Sequence, residues 1–73
     1  MNRKETRWIA VNEIQTGDAV LPQSIIEIAD GMVVRHYPLT EEQPHTEWLG
    51  GTVEIRTDSG GRQRVYKNEN LIE

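Results

Sequence analysis

The chain contains no cysteine and no phenylalanine, and it has only 73 residues. The missing cysteine excludes a disulfide framework and a cysteine zinc site, and it is typical of a protein from a reducing compartment. This length allows one small domain, because so short a chain buries only about 60% of its unfolded surface. Without phenylalanine, two tryptophans and two tyrosines are the only aromatic side chains available to a core.

Targeting segments and catalytic motifs are missing as well. No apolar run approaches the roughly 20 residues of a membrane-spanning helix. The charged start MNRKETRW is not followed by the apolar segment of a secretory signal. We therefore expect a cytoplasmic, bacterial protein that does not enter a membrane. Because the chain has no phosphate-binding glycine loop, nucleophile elbow or Cys–His pair, we expect neither an enzyme nor a bound cofactor.

Basic residues are few and unevenly placed in a chain of net charge −4. Residues 8–55 carry one arginine against eight acids, whereas residues 56–67 carry four cations against one acid. The acidic balance argues against nucleic-acid binding, which depends on neutralising phosphates, but the basic segment keeps that hypothesis open. Since the two segments are complementary in charge, two copies could also pair, and we expect a monomer or a weak homodimer.

The chain is rich in residues that favour β-strands, and no window has the apolar spacing of an amphipathic helix. Asp30-Gly31 predicts a type I′ hairpin turn that pairs Ala29 with Met32 and places Ile26 and Tyr37 on one face. The Gly50-Gly51 pair predicts a bulge or a sharp bend. Strands are predicted over residues 6–11, 19–21, 24–29, 32–38, 47–57 and 62–67, after which residues 68–70 turn and Leu71-Ile72 returns to the core.

The segment TDSGG sets the pairing of the last long hairpin. A three-residue loop, Asp58-Ser59-Gly60 with Gly60 left-handed, would pair Val53 with Val65 and Glu54 with Arg64. A two- or four-residue loop would instead place Val53 opposite Tyr66. We favour the first pairing because it separates apolar from charged residues and forms a favourable Glu–Arg cross-strand pair.

Closure into a small barrel would cover both the edges and the core of so short a set of strands. The stretch IQTGDAVL, with its Gly-Asp turn after a first strand, resembles the SH3-like small β-barrels. The predicted fold is therefore an all-β, five- to six-stranded, strongly bent antiparallel barrel over residues 6–73, after a flexible segment 1–5. The ALYDY signature of eukaryotic SH3 domains is absent, so their recognition of proline-rich peptides is not implied. The predicted core is Trp8, Val11, Ile14, Val20, Ile26, Ile28, Val33, Trp48, Val53, Ile55, Val65 and Leu71.

The stretch RHYPLTEEQPHTEWLGG, residues 35–51, concentrates the candidate binding residues. If residues 37–46 connect antiparallel strands, His36 and Glu47 face each other with His45 nearby. Zinc accepts such ligands, but two histidines nine residues apart specify no site, so no metal is predicted. TEEQ, residues 40–43, matches a capping box and predicts one helical turn that the following proline ends.

Two hypotheses about surface residues follow. Each tryptophan could lie in the core, or Trp48 could join Tyr37, His36, His45 and Glu47 in a surface for a basic or proline-bearing peptide. The basic hairpin is either a solvated face or a nucleic-acid surface formed by Arg56, Arg62, Arg64, Tyr66 and Lys67. We expect a non-catalytic binding module for a protein or peptide partner, with nucleic-acid binding as the alternative.

Overall fold

The computed structural model describes residues 6–41 and 43–73, and the segment 1–5 predicted to be flexible lies outside them. The described part is all β and has no helix, hence none that could cross a membrane. Its strands are β1 (Thr6–Val11), β2 (Glu13–Thr16), β3 (Ala19–Leu21), β4 (Ser24–Ala29), β5 (Met32–Pro38), β6 (Thr46–Trp48), β7 (Thr52–Thr57), β8 (Gln63–Lys67) and β9 (Asn70–Ile72).

The described strands form two mixed sheets. Sheet A has the order β5-β4-β1-β6, and sheet B has the order β3-β2-β7-β8-β9. Most neighbours are antiparallel, but β1 pairs with β6 and β2 pairs with β7 in parallel. The predicted all-β class is confirmed. The closed antiparallel barrel is not, because the two sheets remain open, with β5, β6, β3 and β9 at their edges.

The two sheets are joined at a corner. There the segment that links β1 to β2 and the segment that links β6 to β7 bend side by side, and we call these two parallel pairings the parallel ladder. β1 and β2 are interrupted only at Asn12, and β6 and β7 are separated by residues 49–51. Gly50 and Gly51 both have left-handed φ angles, 73° and 69°. The Gly51 carbonyl accepts hydrogen bonds from the amides of Asn12 (2.9 Å) and Glu13 (3.2 Å), and the Gly51 amide donates to Asn12 Oδ1 (2.6 Å). The predicted bend is confirmed, and two paired segments of the chain pass there from sheet A into sheet B.

One hydrophobic core lies between the inner faces of the sheets. Its buried members are all isoleucine or valine, whose stiff branched side chains pack well on a pleated surface. Sheet A and sheet B contribute equally, so neither sheet buries its inner face without the other. These residues are Ile9, Val11, Ile26 and Ile28 from sheet A and Ile14, Val53, Ile55 and Val65 from sheet B.

Seven predicted core residues are confirmed in this cluster, and Val33 packs at its margin. Val20, Trp48 and Leu71 are instead 59%, 59% and 41% exposed, and Trp8 lies outside the core. Alternation along each strand is the reason, because neighbours in sequence point to opposite faces. In β9, for example, Ile72 takes the inward position, which leaves Leu71 pointing away from the core.

The β4–β5 hairpin has the predicted turn but not the predicted faces. Ala29 pairs with Met32, and Asp30 and Gly31 have φ angles of 57° and 72°, as a type I′ turn requires. The pairing then shifts by one residue. Ile28 pairs with Val33 and Glu27 pairs with Arg35, so Val34 is an extra residue in β5 without a partner in this register. This bulge turns Tyr37 to the outer face, opposite Ile25, so the prediction that Ile26 and Tyr37 share a face is wrong.

The β7–β8 hairpin pairs Ile55 with Val65 and Glu54 with Tyr66, two residues away from the predicted register. Five residues, 58–62, therefore form the loop, and the predicted pair between Glu54 and Arg64 is not formed. The Asp58 carboxylate is the cause, because its Oδ1 accepts the amides of Gly60 (2.8 Å) and Arg62 (2.9 Å) and so stabilises a longer loop. The left-handed residue of this loop is Gly61 and not Gly60.

Asp58 makes the stability of this hairpin depend on pH. Hydrogen bonds from the amides of Arg62 and Gly60 and from the Arg64 guanidinium lower the pKa of its carboxyl. A carboxyl with a lowered folded pKa contributes stability that is complete above its unfolded value, about 3.9, and is lost as pH falls through the folded pKa. The variant Asp58→Asn keeps an accepting oxygen but does not titrate. We expect the advantage of the wild type in urea unfolding to be complete at neutral pH and to be lost progressively as pH falls below the unfolded value of about 3.9; an advantage that stays constant with pH would contradict this assignment.

Candidate binding surface

The side of sheet A that faces away from the core carries three large aromatic side chains, and we call it the aromatic face. Tyr37 pairs with Ile25, Ile25 with Ala10, and Ala10 with Trp48, so these four residues form one row across the sheet. Trp8 lies two residues before Ala10 on the same side of β1. Ile25 and Ala10 are buried although they lie outside the main core, so their neighbours on the aromatic face cover them.

Residues 39–45, which we call the strap, connect one edge of sheet A to the other. β5 ends at the first edge and β6 lies at the opposite edge, so the expected antiparallel hairpin between them is wrong. The Leu39 amide donates to the Gln23 carbonyl (3.0 Å) where the strap begins, and the Thr46 hydroxyl donates to the Pro44 carbonyl (3.4 Å) where it ends. The second half of the strap therefore lies beside the aromatic side chains.

The predicted helical turn at residues 40–43 is not formed by the residues of this segment that the structure describes. Thr40, Glu41 and Gln43 are not helical, and Glu42 lies outside the described residues. Further along the strap, His45 has a left-handed φ of 61°. This conformation costs a residue with a side chain about 1–2 kcal/mol, and such residues often occur at functional sites.

A pocket of about 300 Å³ lies between the aromatic face and the strap. This volume is at the lower end of the range for ligand pockets in proteins. The pocket therefore has room for about one amino-acid side chain and not for a whole folded ligand. It is lined by Trp8, Tyr37, Gln43, Pro44, His45 and Thr46.

The structure brings together some of the predicted binding residues and separates others. Tyr37 and His45 meet in the pocket, and Trp48 is exposed on the same face. His36 and Glu47 lie on the core side of sheet A at opposite edges, three strand spacings or about 14 Å apart. Their predicted meeting is therefore wrong. No group of three histidine, aspartate or glutamate side chains within residues 6–41 and 43–73 is placed to hold a metal ion.

Glu47 does not line the pocket and is paired with an arginine of the neighbouring strand. Its two carboxylate oxygens accept hydrogen bonds from the Arg7 guanidinium, each at 3.0 Å. These bonds lower the pKa of the Glu47 carboxyl and raise that of Arg7. Arg7 also donates to the main-chain carbonyl of Glu73, so it links β1, β6 and the end of the described chain.

Trp8 is the pocket residue that the sequence prediction missed, because it was assigned to the core. The alternation of TRWIAV contains the missing signal. Ile9 and Val11 are the better core residues of this strand, and once they face inward, Trp8 must face outward. A strand whose two aliphatic positions are both buried thus identifies its tryptophan as a surface residue.

A carboxylate lies next to the pocket on the aromatic face. Glu27 pairs directly with Trp8, and only 12% of its side chain is exposed. Its Oε1 accepts a hydrogen bond from Arg35 Nε at 2.6 Å, while 68% of the Arg35 side chain is exposed. The bond to Glu27 is the main cause that raises the pKa of Arg35, and Tyr37 contributes in the same direction. A cation of the chain is therefore already bonded to the carboxylate that lies beside the pocket.

The basic hairpin has most of its cations engaged within the protein. Arg56 bonds Glu54 (2.6 Å) and Glu69 (2.8 Å), which raises its pKa, and its guanidinium lies 4.6 Å from the centre of the Tyr66 ring. Lys67 Nζ donates to the Leu49 carbonyl (3.3 Å).

Arg64 and Arg62 are the other two cations of the basic hairpin. Arg64 bonds Asp58 (3.2 Å) and the Gly31 carbonyl (3.1 Å). Arg62 makes no side-chain bond to another residue of the described part. Internal pairing of three of the four cations weighs against a phosphate-binding surface, since each pair would have to be exchanged for a phosphate.

Comparisons of the chain with protein-family models, curated proteins and solved structures found no match.

Proposed function

We propose that the protein is a non-catalytic binding module that holds a peptide segment of a partner protein against the aromatic face. The observation that carries this proposal is the pocket between Trp8 and Tyr37, beside the exposed Trp48. Tryptophan and tyrosine are enriched among the residues that dominate binding energy, because each buries a large area at low entropic cost. The pocket would take one anchoring side chain of the peptide, and Trp48 would extend the contact along the sheet.

The chemistry of the pocket supports binding rather than catalysis. His45 is the lining residue of the type that most often serves as a general acid or base in enzymes. The imidazole makes no hydrogen bond to another residue in the described part of the chain. General base catalysis requires a base within hydrogen-bond reach of its substrate, and a nucleophile requires such a base beside it. Neither pair is assembled among the lining residues.

Selection of short random peptides displayed on phage tests the proposal. Peptides selected on the wild type should lose about tenfold in affinity when Trp48→Ser or Tyr37→Leu removes an aromatic contact. The matched control is Tyr66→Leu, which removes a tyrosine from the outer face of sheet B and should leave the affinity unchanged. Circular dichroism confirms that each variant is folded before affinity is compared.

Nuclear magnetic resonance then shows where the selected peptides bind. We expect the largest shifts at the Trp8 and Trp48 indole N–H groups and at the amides of residues 43–46. The proposal is wrong if no selected peptide depends on the aromatic face, or if the shifts map to sheet B.

A further inference from the structure

We infer that the pocket takes a positively charged side chain, a lysine or an arginine of the partner peptide, between Trp8 and Tyr37 and with Glu27 as its counter-charge. This inference rests on the proposed function and adds the chemical class of the ligand. Cations bind over the faces of tryptophan and tyrosine because the ring centre carries negative electrostatic potential, and the attraction grows when the site is partly shielded from water. Two such rings line this pocket, which is large enough for one long side chain.

Arg35 shows which ligand this surface suits. Its guanidinium bonds Glu27, which is the direct cross-strand neighbour of Trp8 and is itself largely shielded from water. Cross-strand neighbours of this kind have Cβ atoms about 4.5–5.5 Å apart, so the carboxylate lies one side chain away from the pocket. Because Arg35 itself is mostly exposed, it can move into solvent and leave Glu27 to a cation of the ligand. Arg35 thus engages the carboxylate that we assign as the counter-charge of the partner's cation.

The surrounding charge favours the same class of ligand. Residues 24–48, which include β4, β5 and β6, carry one arginine against five acids. One of the five, Glu47, is bonded by Arg7 on the core side of sheet A, so it does not add to the charge of the aromatic face. A cationic peptide would be attracted to this surface, whereas a neutral peptide would gain nothing from the excess of carboxylates. A proline segment is the less favoured occupant, because the aromatic-lined grooves that bind prolines derive no advantage from a neighbouring carboxylate.

The test compares two blocked glycine–serine peptides that differ at one position, arginine in one and its uncharged analogue citrulline in the other. Titrations are followed at the Trp8 indole N–H group and the amides of residues 43–46. The arginine peptide should bind about tenfold more tightly, the factor that corresponds to a partly shielded cation–π contact with a counter-charge. Glu27→Gln should reduce that advantage to about threefold or less, whereas Arg35→Gln should increase the affinity for arginine, because it removes the internal competitor.

Controls separate this inference from the proposed function. Arg56→Gln removes a guanidinium from sheet B and should leave the preference for arginine unchanged. Equal binding of both peptides at the pocket, or no shift of the Trp8 signal with the arginine peptide, would overturn the cationic ligand. The proposed function would still stand if neutral peptides from the phage selection bind through Trp48 and Tyr37. It would fail if that selection yields no peptide that depends on the aromatic face, or if the shifts caused by the selected peptides map to sheet B.

Discussion

Ile26→Ala is expected to lower the free energy of unfolding by about 2–5 kcal/mol, which is the usual loss when a buried isoleucine is truncated to alanine. Ile26 is fully buried, pairs with Ile9 in β1, and belongs to the cluster that both sheets build. Removing its side chain leaves a cavity among the other members of this cluster, which adds to the lost burial of the side chain itself. A protein of this size has roughly 4–11 kcal/mol of stability in all, so this one substitution removes a large share.

Urea unfolding monitored by circular dichroism measures the effect. Ile26→Val keeps most of the side chain and should lose only about 0.5–1.5 kcal/mol, which provides a measurable variant if alanine is not folded. Val20→Ala is the control, since Val20 is 59% exposed and its truncation should change stability by less than about 0.5 kcal/mol. Similar losses for Ile26→Ala and Val20→Ala would show that the core does not lie between the sheets as described.

The second large effect is expected at the corner. Replacing Gly50 and Gly51 together by alanine should cost about 2–4 kcal/mol, because each new Cβ would occupy a left-handed conformation at about 1–2 kcal/mol per residue. Space is short as well, because a Cβ at Gly50 would lie 3.2 Å from Trp48 Nε1 and one at Gly51 would lie 3.2 Å from Lys67 Nζ. The end of the long Lys67 side chain can move away from a new Cβ at Gly51, so the crowding acts mainly at Gly50, where the neighbour is the indole ring of Trp48.

Two other glycines serve as controls for the corner. Gly17 has a similar φ of 59°, but nothing lies within 4 Å of a Cβ built there. Gly17→Ala therefore measures conformational strain alone, and the double variant should lose more than twice as much. Gly60 does not have a left-handed φ. A Cβ there would lie 3.2 Å from the end of the Arg62 side chain, which is exposed and can move, so alanine should cost little at this position. Thermal or urea unfolding of the three variants is the measurement, and equal losses for Gly60→Ala and the double variant would remove the structural role of the glycine pair.

The parts of the fold that local chemistry controls were predictable from the sequence. Asp30-Gly31 accepts positive φ angles at two successive residues, and few other dipeptides do so without strain, so its turn could be placed without knowledge of the rest. The bend at Gly50-Gly51 followed from the same property. Most strand bounds also agreed with the sequence, because the runs of β-branched residues are short and are bounded by glycine, proline or aspartate.

Pairings between distant strands could not be predicted in this way. The β7–β8 register depends on the side chain of Asp58, whose bonds to two amides select a longer loop than the glycines alone suggest. Nothing in the residues of β1 or β6 states that they pair in parallel, since that pairing depends on how the whole chain between them folds. Because the order of strands was missing, β5 and β6 were expected to be neighbours, and His36 and Glu47 were wrongly placed together.

For the candidate surface, the sequence predicts several of the residues but not how they come together, because that also depends on the pairing of distant strands. Tyr37, His45 and Trp48 were identified because aromatic and imidazole side chains in a polar segment are unusual. Their common position depends on the bulge at Val34, which turns Tyr37 outward, and on the path of the strap across the sheet. Neither feature has a signal in the local sequence.

The parallel ladder at the corner also determines the order in which the chain can fold. Hairpins such as β4–β5 and β7–β8 join neighbouring segments and can form early. Asn12 and Gly51, by contrast, are 39 residues apart in the chain, and their contact requires that the entropy of a long loop be lost first. We expect this ladder to form last and to make the protein a slow folder for its length, since contacts between distant residues retard folding. Until the ladder forms, β6 and its Trp48 are not attached to β1, and the aromatic face is incomplete. The capacity to bind therefore arises only in the final step of folding.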